Sequence, residues 1–322
     1  MEFEILKEHF EFFNPVTKSN ELVEIEVRKD PLTGKTSRVI VKPLPMSKEP
    51  DIPDFSNEWC PFCDDNVYRV GARDVAVAGG ELIEKGEAVL MANISPYAEV
   101  SLVIRISKAH YLSLPEFAAS MFYDAFTLAR DYLVERGFEF ACVTMNYLRP
   151  AGSSVTHPHV QVLASSELMD YQRRIVERAD AFFRENGRNF WDVFWEEAEQ
   201  LRVHEGSWRW FVPFAPRGFE HVSAYISQGF GSMDGELMEL SEGITRVLKF
   251  YDSLGFNSFN FGLFAPLERR EDVPAVFDMV ARSVMDRYYW NDVFAITKLY
   301  DEVYTNRRPE DTAKEIKEYF VV

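Results

Sequence analysis

The run Val155-Thr156-His157-Pro158-His159-Val160-Gln161-Val162-Leu163 sets two imidazoles and an amide on alternate positions. In an extended strand, side chains two residues apart share a face. His157, His159 and Gln161 then point one way, while Pro158, Val160 and Val162 turn toward a core. Such a front face can bind a metal, attack phosphorus and hold phosphoryl oxygens. One histidine here would read as a hydrogen-bonded core residue. Two of the chain's six histidines, beside a glutamine, read as a site.

A second candidate lies upstream, at Trp59-Cys60-Pro61-Phe62-Cys63. A Cys-x-x-Cys turn is either a redox pair or half of a zinc site, and no thioredoxin-like βαβ pattern surrounds this one. Two thiolates need two further ligands for a closed tetrahedral site. Cys142 sits in an apolar strand and reads as a small buried hydrophobe. His110 and His157 are the best placed partners, whereas His9, His204 and His221 are isolated.

The elements that must position these groups are readable around them. Glu24 to Val27 and Arg38 to Val41 flank a basic Asp-Pro/Thr-Gly turn, which reads as a solvated hairpin. Residues 43–57 read as a loop. Strands are expected at Ala88 to Ala92 and Val100 to Ile106. An amphipathic helix runs from about Leu114 to Arg136, with Pro115 in its first turn and Gly137 as its stop. Strand Phe138 to Leu148 leads through Arg149-Pro150-Ala151-Gly152-Ser153-Ser154 into the His-Pro-His strand. That Gly-Ser-Ser turn can offer backbone amides to a phosphate. Residues 167–206 read as one or two helices that pack aromatic side chains on a neighbour or on a partner subunit.

The order strand, helix, Gly, strand, strand then recurs. Its second copy is Val222 to Ile226, a helix from about Gly235 to Leu254, Phe256 to Phe264, and Ala275 to Val284. The helix-ending glycines, Gly137 and Gly255, are 118 residues apart. The same offset carries His157, His159 and Gln161 onto Ala275, Phe277 and Met279, so the second copy reads as a structural half without chemistry.

Composition bounds the rest. A chain of 322 residues, 47% hydrophobic and 15% aromatic, can bury a large core. A net charge of −17 argues against nucleic acid as a partner, because a phosphate backbone needs a basic surface. Three cysteines are too few for a disulfide framework and suit a reducing, cytoplasmic setting. No signal peptide or membrane-length apolar run is visible, so no membrane partner is expected.

With these residues in view, the chain resembles the galactose-1-phosphate uridylyltransferase family of the histidine-triad superfamily. His157-Pro158-His159-Val160-Gln161, with Cys60-x-x-Cys63 and His110 upstream, carries the resemblance, which extends over most of the chain. It implies an α+β fold: two tandem histidine-triad-like halves, residues 1–206 and 207–322, sharing a mixed, mainly antiparallel sheet with flanking helices, and a homodimer. It also implies one structural Zn2+ held by Cys60, Cys63, His110 and His157, with His159 as nucleophile and Gln161 beside it. Asn146 and Ser154 match positions that touch nucleotide phosphates, Arg28 resembles a basic phosphate contact, and Asn93 resembles a position near the base. The implied activity in galactose metabolism is transfer of a nucleoside monophosphate between a nucleotide sugar and a sugar 1-phosphate through a covalent nucleotidyl-histidine. The alternatives are a phosphorylase or adenylyltransferase that uses free phosphate on a nucleoside diphosphate sugar or dinucleoside polyphosphate, and a non-catalytic zinc-containing nucleotide-binding protein. Two departures stand out. Val160 replaces the family's usual glycine, and the second half lacks histidines around Phe264 and Val273 to Ala275, so a single metal is expected.

Overall fold

The computed structural model describes every residue except 43, 45–49, 57, 64, 76, 78, 79 and 322. A small sheet is built from β1 (Ile5–Asn14), β2 (Ser19–Lys29), β3 (Thr36–Val39) and, far along the chain, β14 (Val303–Thr305). The large sheet has ten strands: β4 (Ile83–Lys85), β5 (Ala88–Ala92), β6 (Val100–Arg105), β7 (Phe140–Tyr147), β8 (His159–Ala164), β9 (Arg202–Glu205), β10 (Arg209–Phe211), β11 (Phe219–Ile226), β12 (Phe259–Pro266) and β13 (Ala275–Ala281). The helices are α1 (Asn66–Val70), α2 (Ala119–Val134), α3 (Asp170–Asn186), α4 (Phe190–Glu197), α5 (Gly235–Ser253), α6 (Ala295–Tyr300) and α7 (Pro309–Phe320).

The large sheet runs β4-β5-β6-β8-β7-β12-β13-β11-β10-β9. Its ladders are all antiparallel, and the parallel pair lies in the small sheet, between β14 and β3. The order β6-β8-β7 meets its reverse, β12-β13-β11, at the centre. The two halves are therefore related by a pseudo-two-fold axis, and the tandem α+β architecture expected from the sequence is the architecture of the chain. One ladder crosses the expected boundary at residue 206: β9 precedes it and pairs with β10 beyond it.

Period-2 patterning decides the two faces of the sheet. Back-facing Val143, Met145, Val160, Val162, Phe277 and Met279 are fully buried under the long amphipathic helices. Phe122 and Phe126 of α2 meet Phe261 of β12, and Tyr251 of α5 donates to the Met279 carbonyl at 3.0 Å. On the front, α4 lays Phe190, Trp191, Phe194 and Trp195 over the second half. Val67 and Phe62 cover Val89, Met91 and Val103 at the outer edge of the first half. Between these two covers, Gln161, Thr144, Asn146, Asn260 and Gly262 remain half-exposed. The front face thus keeps an open polar strip at the centre of the sheet.

The expected long helix is shorter than its pattern. Leu114–Glu116 forms a separate 3-10 turn, closed by a reciprocal Ser113–Glu116 capping box, and Phe117 is extended before α2 begins. The expected strand at Glu24 to Val27 is part of β2, whereas β1, which pairs with β2 in a first hairpin, was not among the expected strands. The hairpin is exposed along most of its length, with Leu6, Phe10, Phe13 and Leu22 each more than half exposed. Among the described residues, no helix is long and apolar enough to cross a membrane.

The repeat register needs correction. The offset of 118 holds at the central ladder, where Thr144 of β7 faces Gly262 of β12. One continuous row across the sheet reads Val103, Gln161, Thr144, Gly262, Asp278, Ser223. By its symmetry Gln161 corresponds to Asp278, an offset of 117. His157 and His159 then correspond to Pro274 and Val276. The residues expected from the simple offset, Ala275, Phe277 and Met279, face the back and are 0% exposed. A slip of one residue had exchanged the faces. Nor is the second copy without polar chemistry, since Asp278 Oδ1 accepts from His221 Nε2 at 3.0 Å and from Ser223 Oγ at 2.5 Å.

Candidate active site

Cys60 and Cys63 sit on the turn that leads into α1, and His110 lies in the loop after β6. His157 lies just ahead of β8 in a bend, not within the strand as alternation implied. The four side chains nevertheless converge. Their ligand atoms all lie within 4.8 Å of one another. Cys63 Sγ is 3.1 Å from His110 Nδ1 and 3.3 Å from His157 Nδ1, and Cys60 Sγ is 3.5 Å from the same His157 nitrogen.

The donor set passes a test of fit for zinc. Two thiols and two imidazoles form a closed tetrahedral set, and around such an ion N and S ligands stand about 3.6 Å apart. His157 Nε2 donates to the Ser107 carbonyl at 2.7 Å, which fixes the tautomer and turns the Nδ1 lone pair toward the thiols. His110 Nε2 lies 3.5 Å from Glu58 Oε2, a charge contact without the angle of a hydrogen bond. Zinc held there would cross-link the Cys60–Cys63 turn, the loop after β6 and the entry to β8. All four positions are filled by protein, which leaves no room for substrate on the ion. Burial pushes the His157 imidazole down to about 4, consistent with a neutral ligand.

His159 opens β8, opposite Arg105 of β6. Its Nδ1–H donates to the His157 carbonyl at 2.8 Å. Nε2 therefore carries the lone pair. It has no hydrogen-bond partner among the described residues, and it is not among the polar atoms sealed from solvent. The residue as a whole is only 8% exposed, with the Phe62 ring centroid at 5.2 Å, so the ring is clamped with one nitrogen showing. Burial holds this imidazole below its ordinary range, partly opposed by the bond to the carbonyl. The result is a neutral ring in a defined tautomer.

The neighbouring ladder explains the opening in front of it. Strands β7 and β8 pair from Cys142–Leu163 to Thr144–Gln161 and no further. Beyond that point they part, with His159 on one lip and Asn146 on the other. Gln161 marks the base of the fork on the same face as His159. The loop closing the far end starts from Leu148, a buried leucine with φ 65. A β-carbon in that region costs about 1–3 kcal/mol, and such strain persists only where its surroundings enforce it. Ala151 N and Ser153 N both donate to the Leu148 carbonyl, at 3.1 and 3.2 Å. Neither Leu148 nor Asn260, which holds this loop from the second half, carries any motif that the sequence could have revealed.

The remaining expected residues fall in different places. Ser154 is exposed in the loop between Ala151 and His157. Asn93 caps a turn at the far end of β5, where its Oδ1 accepts from Ser95 N at 2.9 Å. Four residues along β5 separate it from the level of His159, about 13 Å at strand spacing. Arg28 is not free to hold a phosphate. It is 2% exposed, bonded to Glu26 at 2.6 and 2.9 Å and to Glu310 at 2.7 and 3.0 Å, with its guanidinium 5.0 Å from the centre of the Phe214 ring. A phosphate would have to displace two carboxylates. Arg28→Ala should therefore lower unfolding stability by about 3 kcal/mol, the scale of a broken buried ion pair. An unchanged denaturation midpoint with a raised KM for a nucleotide sugar would restore the phosphate role.

An α+β pseudo-dimer with a Cys2His2 cluster at the entry to the strand that carries His159 and Gln161 has the fold of GalT-like proteins and uridylyltransferases. Three solved structures show this. A GalT-like protein of Arabidopsis thaliana matches at 16% identity and TM-score 0.68, over 91% of this chain and 98% of that one. An ADP-glucose phosphorylase of Arabidopsis thaliana, solved with ADP-glucose bound, matches at 18% and 0.68, over 91% and 99%. A uridylyltransferase matches at 20% and 0.65, over 91% and 97%. The chain belongs to the same family as a protein of Archaeoglobus fulgidus described as uncharacterized, which is 37% identical over 304 residues, 91% of this chain and 92% of that protein. No family model matches the chain.

Proposed function

We propose that the protein is a nucleotidyltransferase that moves a nucleoside monophosphate between phosphate-bearing partners through His159, with a nucleotide sugar as donor and a hexose 1-phosphate, galactose 1-phosphate first, as acceptor. The observation that carries this reading is the state of the His159 ring. Nδ1–H is committed to the His157 carbonyl, which leaves the lone pair on Nε2, and His159 shares a face of β8 with Gln161.

In the first half-reaction the Nε2 lone pair forms a bond to the α-phosphorus, and the bond to the bridging oxygen breaks. Sugar 1-phosphate leaves with that electron pair. The imidazole gains positive charge, which strengthens the Nδ1–H bond to the His157 carbonyl without moving its proton. In the second half-reaction a phosphate oxygen of the acceptor attacks phosphorus and Nε2 recovers its lone pair. This is covalent catalysis in two displacements. The leaving group is already a weak base, so a strong general acid is not required. Gln161 suits that demand, because an amide donates to a phosphoryl oxygen but delivers no proton.

Zinc in this reading is structural, and the thiols that hold it suit a reducing, cytoplasmic setting. A homodimer belongs to the same reading, with exposed Phe10, Phe13 and Leu22 of the first hairpin as available apolar surface.

The acceptor decides between two enzymes. After loading with UDP-glucose or ADP-glucose, galactose 1-phosphate should discharge the nucleotide faster than inorganic phosphate does. The opposite order would make the protein a phosphorylase. Tight nucleotide binding with no covalent product would leave only a zinc-containing binding protein.

A further inference from the structure

Asn260 of β12 brings the second half of the chain against one lip of the fork. It stands directly opposite Asn146 in the β7–β12 ladder. Its Nδ2 donates to Asn146 Oδ1 at 2.6 Å and to the Ala151 carbonyl at 2.9 Å. Its Oδ1 accepts from Arg282 Nη1. Arg282 in turn is clamped by Asp292, Nε to Oδ2 at 2.7 Å and Nη2 to Oδ1 at 2.5 Å.

This chain of contacts has a definite polarity. An amide side chain has one accepting end and one donating end, and the two ends are nearly the same size. What fixes an amide is a neighbour that can play only one part. Asn260 has two such neighbours, since the Ala151 carbonyl can only accept and the Arg282 guanidinium can only donate. Its NH2 must therefore face Ala151 and Asn146. Asn146 must then turn its oxygen toward Asn260, which leaves its own NH2 for the fork. A reversed Asn146 would present an oxygen to a phosphoryl group and repel it.

We propose that Asn260, oriented by Arg282 and Asp292, is a positioning residue that holds Asn146 as a hydrogen-bond donor toward the phosphoryl oxygens and pins the Leu148–Ala151 turn through the Ala151 carbonyl. This rests on the functional reading above. It adds that the degenerate half sets the polarity of the other half's site. Asn260 makes its contacts through the side chain, so its removal leaves the β7–β12 ladder intact.

The test is a double-mutant cycle on the rate of His159 nucleotidylation at saturating donor, using Asn146→Ala, Asn260→Ala and the pair. Asn146→Ala should slow loading about 10²-fold, the cost of one lost donor to a developing charge. Asn260→Ala should slow it about 10-fold, through kcat more than KM, and should cost clearly less when Asn146 is already alanine, where only the hold on the Ala151 carbonyl is left to lose. Asn260→Asp should be worse than Asn260→Ala, because a carboxylate accepts from Asn146 and reverses it. Asn260→Ala with unchanged loading, or with the same cost in both backgrounds, would overturn the proposal. UMP and AMP affinity, measured by calorimetry on the same proteins, separates this outcome from failure of the functional reading. If the wild type forms no adduct, that reading falls. Even then Asn260→Asp should weaken nucleotide binding at least about 10-fold, and only when Asn146 is present. Equal affinity would overturn the proposal too.

Discussion

Replacing His159 by alanine is expected to abolish nucleotidyl exchange, by roughly 10⁴-fold or more, the scale of a removed nucleophile. The change should leave the fold and the metal content intact. The reason is geometric. His159 gives Nδ1–H to the His157 carbonyl and contributes no ligand to the Cys60–Cys63–His110–His157 cluster. Gln161→Ala should be milder, about 10²-fold, because it removes one donor to the phosphoryl oxygens and spares the bond-forming atom. The two variants should also differ in kind. Gln161→Ala should still accumulate the nucleotidyl-enzyme, only slowly, whereas His159→Ala should accumulate none. A His159→Ala protein that still exchanged nucleotide at a tenth of the normal rate would mean that phosphorus meets another acceptor.

The second large effect concerns the metal. Stripping it with a chelator, or making Cys63→Ser, is expected to cost about 4 kcal/mol or more of stability, the range of a lost metal site. The cluster joins three segments distant in sequence, near residues 60, 110 and 157. Activity should fall as well, by an indirect route. His157 supplies the carbonyl that fixes the His159 tautomer, and a freed His157 loosens that carbonyl. Melting temperature and nucleotide loading should therefore decline together as zinc is withdrawn and return together on its readdition. Chelated protein with an unshifted melting temperature would show that the four side chains hold the fold without an ion.

The site was legible where its meaning is local. Cys60-x-x-Cys63 and His157-Pro158-His159-Val160-Gln161 carry ligand and nucleophile types at short spacing, and the structure brings all four expected metal ligands into one cluster. The tandem halves were legible too, because two amphipathic helices ending at Gly137 and Gly255 announce the same unit twice. What failed depends on register. A one-residue difference between β7–β12 and the next ladders moved the counterparts of the histidines from the front face to the back, and no local signal carries that difference. Asn260 was missed for the same reason: it matters only because β12 pairs with β7 at Asn146. Arg28 was misread because its two carboxylates, Glu26 and Glu310, come from its own strand and from a helix at the other end of the chain. β1 escaped because it buries little, which leaves its alternation without a core to explain it.

The most direct measurement is the intact mass of the wild-type protein after brief mixing with UDP-glucose or ADP-glucose, followed by peptide mapping of the modified residue. The account predicts a gain of one nucleoside monophosphate, located on His159 and discharged by a sugar 1-phosphate. An unchanged mass with every nucleotide sugar, or a nucleotide found on any other residue, would contradict it.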